Sequence, residues 1–134
     1  MATERRNQPR TNLRVPLYLL PNGSEVPIQT ETEDLSLEGF YCYTERPFSP
    51  GEYLKFLMLL PPATKSSLAI GGLCLQGCVQ VIRLTVTGDM RHGLGCRLVS
   101  YRVLSNSEFL TPEDITATLL ESDHQEYRSV GSVS

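Results

Sequence analysis

The sequence predicts a mainly β protein, a small antiparallel barrel followed by one C-terminal helix. Three observations carry this. Short apolar segments recur about every ten residues, separated by Gly- and Pro-containing turns. Apolar and polar residues partly alternate within them, as half-buried strands require. After residue 110 the pattern changes to a helix start with apolar residues at helical spacing.

Each element has its own signal. Residues 1–12 are polar and arginine-rich, and Pro9 blocks a regular helix there, so this stretch reads as an arm or loop. Leu13 to Leu20 is a first strand, with Pro16 at its edge or start. Pro21-Asn22-Gly23-Ser24 is a turn. Glu25 to Thr32 alternates Val26, Ile28 and Thr30 with Pro27, Gln29 and Glu31, a second strand that ends in a loop from Asp34 to Gly39. Phe40 to Thr44 is a third strand, with Phe40 and Cys42 on one face and Tyr41 and Tyr43 on the other. Glu52 to Leu60 is a fourth, closed by Pro61-Pro62. Ser67 to Thr87 holds one or two strands with a bulge or bend at Gly77. Gly93 to Tyr101 is the last. Thr111 then caps a helix that has Pro112 at its first position, Glu113 and Asp114 in its first turn, and Ile115, Leu119 and Leu120 as its docking stripe.

Length and composition place the chain in the globular class. Its 134 residues are one domain's worth, 40% hydrophobic and 20% charged. No apolar run approaches the 18 or so residues of a membrane span, and no apolar stretch follows the N-terminal charges, so a cytoplasmic location is expected. Cys42, Cys74, Cys78 and Cys96 sit in apolar segments and read as buried, reduced thiols. The Cys74-x-x-x-Cys78 spacing lacks a nearby His and is not a usual zinc pattern. The net charge is -3, but it is unevenly placed. Residues 1–14 hold four arginines against one glutamate, and the rest holds eight basic against fourteen acidic residues. A basic arm on an acidic body suits an anionic ligand better than a long polyanion.

Two elements stand out chemically. Arg6 and Arg10 form an Arg-x-x-x-Arg pair, about 13 Å apart at Cα if extended and closer if Pro9 bends the arm. Their guanidinium forks match phosphate oxygens or guanine O6 and N7. Alone, the pair is a weak motif and reads rather as a solvated basic terminus. Asp34, Ser36 and Gly39 form an Asp-x-Ser-x-x-Gly element. Asp can accept from the guanine N–H edge, and Gly lets backbone approach a ligand. Alone, this too is readily a tight strand connection. The other candidates are surface residues on this reading: His92, His124, Arg83, Arg91, Arg97 and Arg102. No partnered Ser, and no Gly-rich phosphate loop with Lys, points to an enzyme.

Taken together and in this order, RRNQPR and DLSLEG resemble the PilZ domain, the bacterial receptor module for cyclic di-GMP. GCVQVIR and GLGCRL resemble that family's paired closing strands, and the resemblance spans roughly residues 4–121. It implies a six-stranded antiparallel β-barrel over 13–104, a flexible ligand-binding arm over 1–12 and a helix region over 105–128, while the small, polar composition of 129–134 predicts a disordered tail. It implies that Arg6 and Arg10 grip the phosphates and guanine of cyclic di-GMP, and that Asp34, Ser36 and Gly39 line the base. Arg5 matches a position that influences whether one ligand or a stacked pair is bound, and an arginine there leans toward the pair. The arm is expected to be mobile without ligand and to fold over it when bound.

The function expected is a non-enzymatic, stand-alone cyclic di-GMP receptor that signals to a protein partner. No cofactor, metal, DNA, RNA or membrane insertion is expected. One alternative is a PilZ-like interaction module that binds no nucleotide. Another is a basic-arm nucleic-acid binder, which the acidic body and the lack of an aromatic stacking set argue against.

Overall fold

The computed structural model describes residues 13–60, 73–105, 112–120 and 128–129. The strands are β1 (Pro16–Pro21), β2 (Ile28–Ser36), β3 (Gly39–Thr44), β4 (Tyr53–Leu60), β5 (Leu73–Val86), β6 (His92–Ser105) and the short β7 (Arg128–Ser129), with α1 (Pro112–Leu120) between β6 and β7. The sheet runs β3-β2-β1-β4-β5-β6-β7, and β3 also pairs with β6. That extra pairing closes β1 to β6 into a six-stranded barrel in which every pairing is antiparallel.

Alternation fills the barrel. Val15, Leu17 and Leu19 meet Leu54, Phe56, Met58, Phe40, Val79, Val81 and Leu94 inside. Phe40 and Phe56 pack edge to face at 5.8 Å. The faces expected for the third strand hold, with Phe40 and Cys42 buried and Tyr41 and Tyr43 outside the core. Strands β1 and β4 are covered on their outer side as well. There Leu20 and Leu57 take Ile115 and Leu119 of α1 into a second apolar cluster. Gln76, fully buried on β5, ties helix to sheet: its Nε2 donates to the Thr118 carbonyl at 2.6 Å, and its Oε1 accepts from Arg102 Nε at 2.9 Å.

Several sequence expectations need correction. The second strand does not stop at Thr32. It runs to Ser36, so Asp34 and Ser36 lie on strand and the turn shrinks to Leu37–Glu38. Backbone pairing with β3 continues to the Ser36–Gly39 pair and overrides the polar, turn-like composition. Ser67 to Thr87 contributes one strand within its described part, and its register shifts fall between Cys78 and Val79 and between Val81 and Arg83 rather than at Gly77. Leu120 is exposed instead of docked. Strand β7, paired with Ser100 and Tyr101, was not anticipated. Thr111, His124 and residues 130–134 lie outside the described residues.

Candidate functional site

A single extra residue decides which way the site faces. Thr32 pairs with Cys42 and Asp34 with Tyr41, so Glu33 is a bulge on β2. Thr32 is buried, and strict alternation would turn Asp34 inward beside it. The bulge shifts the parity. Leu35 now packs against the core, while Asp34 and Ser36 flank it on the outer face, about 7 Å apart along the strand. Both are half-buried. The Ser36 Oγ accepts the Glu38 N–H at 3.2 Å, and the Glu38 carbonyl accepts the Leu98 N–H at 2.8 Å, which pins the hairpin turn to β6.

Gly39 sits where β3 first meets β6. It pairs with Ser36 on one side and Arg97 on the other. A Cβ there would overlap the Cys96 carbonyl oxygen and lie 3.0 Å from the Arg97 Cα, and the φ of 156° also favours glycine. The bare backbone makes a low floor between Ser36 and Arg97, and it lets the barrel close.

The same outer face continues across β3, β6 and β5. Tyr41 lies over Gly93, where any Cβ would meet its ring and hydroxyl. Arg83 stands 5.7 Å from the centre of the Tyr41 ring, and Arg91 stands 4.4 Å from that of Tyr43. Tyr41 and Tyr43 contact each other edge to face at 5.5 Å. Arg97 Nη2 donates to Gln80 Oε1 at 2.6 Å. Asp89 fixes Arg91 through a 3.0 Å ion pair, and a hydrogen bond from Thr87 is the main cause that lowers the Asp89 pKa. Arg83 and Arg97 are exposed, as the sequence suggests, and both border this face. Gly93 and Gly95 opposite a Tyr-x-Tyr strand were the available signal that side chains lie flat across this face.

The arm's root is described from Leu13 onward. Arg14 pairs with Glu33 at 3.3 Å and Glu31 at 3.9 Å. It lines a groove of ≈ 580 Å³ together with Glu31, Tyr43, Glu45, Arg46 and Arg91. Arg5, Arg6 and Arg10 lie outside the described residues. His92 begins β6 half-buried, with its Nδ1 shielded from solvent, not out in a turn as the sequence suggested.

The four cysteines are reduced thiols, not disulfides. Cys42, Cys74 and Cys96 are buried and Cys78 is partly so. Among the described residues, no three His, Cys, Asp or Glu side chains gather to hold a metal ion, and no helix is long and apolar enough to cross a membrane.

Comparison with known proteins places this geometry. No curated protein matches the chain. Among solved structures it resembles the Bacillus subtilis inhibitor of motility MotI/DgrA, with a TM-score of 0.57 at 16% identity over 88% of this chain and 49% of that one. The chain thus spans about half the length of that protein, and the likeness is one of fold. The model of the PilZ domain matches residues 4–108, a stretch that contains both the arginine arm and the whole barrel. The chain belongs to the PilZ domain family.

Proposed function

We propose that this protein is a cyclic di-GMP receptor that carries out no chemistry of its own. The observation that carries the reading is the bulge at Glu33, which turns Asp34 outward on the face of Ser36, whose cross-strand partner is the bare backbone of Gly39. A carboxylate, a hydroxyl and a flat floor on one strand face suit the N–H edge and the ring of guanine. Arg6 and Arg10, on the 1–12 arm, supply the charge-assisted donors for its phosphates, and the arm closes over the ligand on binding. Arg5 extends the grip to a stacked second ligand. The barrel over 13–104 is the platform and the 105–128 region is its helical cover. Closure of the arm is the output read by a protein partner in the cytoplasm.

Calorimetric titration of cyclic di-GMP tests this. Saturable binding is expected, weakened about ten- to a hundredfold by Arg6→Ala and by Asp34→Ala, since each removes hydrogen bonds to or from a charged group. The molar ratio separates one ligand from a pair. Absence of heat in the unmodified protein, confirmed by a second method, would replace this reading with that of an interaction module. Exposed Val86 and Met90 on the β5–β6 hairpin favour that alternative.

A further inference from the structure

Two planar side chains lie flat beside Asp34. Strand pairing sets Asp34 opposite Tyr41, Tyr41 opposite Gly95, and Gly95 opposite Arg83, one row across β2, β3, β6 and β5. Glycines make the floor under this row. The Tyr41 hydroxyl occupies the place that a Cβ on Gly93 would take. A Cβ on Gly95 would lie 3.4 Å from Arg83 Nη2 and 3.5 Å from its Cζ, so the guanidinium runs over that glycine at contact distance. The same Cζ stands 5.7 Å from the centre of the Tyr41 ring. Tyr43 meets Tyr41 at an interplanar angle of 87°, so it stands upright as an end wall beside the flat ring. Tyr41 is half-buried and Arg83 is exposed, which leaves the outward side of both planes open to solvent.

Charge singles out the same place. Among the described residues no carboxylate forms an ion pair with Arg83 or Arg97, whereas Arg14 and Arg91 are both paired. Arg97 is held by the neutral Gln80 side chain instead. Two guanidiniums without a counter-charge therefore border a flat aromatic surface, on a chain whose residues 15–134 are acidic on balance.

We infer that Tyr41 and Arg83 form a stacking platform for the guanine whose N–H edge Asp34 accepts, an assignment that rests on the receptor reading above. Cross-strand neighbours on one face have Cβ atoms about 5 Å apart, so a purine held at its edge by Asp34 extends over Tyr41. The ring and the guanidinium then support the face of the base, and the open charge of Arg83 favours a base that carries phosphate. Asp34 selects the guanine edge, and the platform supplies affinity. The two glycines acquire a purpose as well: a side chain at position 93 would lift the ring off the floor.

Three variants test the platform by calorimetry with cyclic di-GMP. Tyr41→Leu removes the ring, Tyr41→Phe keeps it, and Arg83→Lys keeps the charge but removes the plane. Stacking of one base predicts at least fivefold weaker binding for Tyr41→Leu and Arg83→Lys, and binding within twofold of the unmodified protein for Tyr41→Phe. Proton NMR of the unmodified complex adds a readout that a merely structural role would not move: the guanine H8 should shift upfield and show nuclear Overhauser contacts to the Tyr41 ring.

Affinities within twofold for both Tyr41→Leu and Arg83→Lys would overturn the platform and leave the receptor reading intact. A loss in only one of the two would also overturn it as a shared surface. Equal weakening in Tyr41→Phe would mean that the hydroxyl, not the ring face, is what binds. If the unmodified protein binds no cyclic di-GMP, the receptor reading falls and the platform falls with it. Should Tyr41→Leu fail to fold, the exposed Arg83→Lys and the NMR contacts decide, and a bound guanine with no contact to the Tyr41 ring refutes stacking there.

Discussion

Gly39 shows how one residue serves the fold and the site at once. The sequence marks it as a position where backbone can approach a ligand, but its nearest neighbours in the structure are Cys96 and Arg97 across the barrel seam. Gly39→Ala should destabilise the protein by about 2–3 kcal/mol, because backbone on both strands must move. Gly88→Ala, in open space, should stay within about 0.5 kcal/mol. Urea unfolding of the two variants checks this, and equal midpoints would refute the seam argument. Cys42 makes a second case. Its thiol is hydrogen-bonded to Cys96, buried, and next to that second thiol, and these causes in that order raise its pKa well above the ordinary value. The stability gained by keeping it neutral is fully present below the unfolded thiol's pKa of about 8.5. It fades as the pH rises from there, where the unfolded chain ionises first. Urea midpoints should be level from about pH 7 to 8 and fall above about pH 9, with a shallower fall in Cys42→Ala. At this scale the sequence revealed residue types but not neighbours: Asp34, Ser36 and Gly39 could be singled out, whereas Thr32 looked like any strand threonine, because its partners Leu13 and Val15 lie 17 or more residues away.

Elements were legible wherever local pattern and tertiary pairing agree. Strand β4, helix α1 and the face assignment of β3 follow from alternation and helical spacing. Strand β2 was misread at its end because pairing, not propensity, holds Asp34 and Ser36 extended, and no local signal announces a bulge at Glu33. The docking of α1 was legible through Ile115 and Leu119, which fall on one helical face, while Leu120 turns away from it. This element gives a clean separation of stability from binding. Leu119 is completely buried against Leu20 and Leu57 on the outer side of β1 and β4, whereas the candidate site lies on β2, β3 and β6. Leu119→Ala should therefore cost about 2–5 kcal/mol in denaturant unfolding while leaving cyclic di-GMP affinity within about twofold. A matching loss of affinity would mean that helix and site are coupled through the barrel.

At the scale of the whole molecule, charge divides the chain near its start. Val15 lies in the barrel core and Leu13 packs against it. Thr32 and the Leu13–Val15 segment close the barrel's edge on that side. The twelve residues before it carry three arginines and one glutamate, so removing them takes the net charge from -3 to -5. If the arm contributes to ligand capture and not to the core, a chain starting at Leu13 should melt within a few degrees of the full protein and bind no measurable cyclic di-GMP. The acidic remainder would repel a dianion that the arm had drawn in. In the full protein the same electrostatic origin should make binding weaken as salt rises from about 50 to 300 mM, where the screening length falls from roughly 14 to 6 Å. Melting of the truncated chain by circular dichroism, with titration of both proteins at two salt concentrations, tests the division directly. Native-like affinity in the truncated chain would place the whole site on the barrel. A large drop in its melting temperature would instead make residues 1–12 part of the fold.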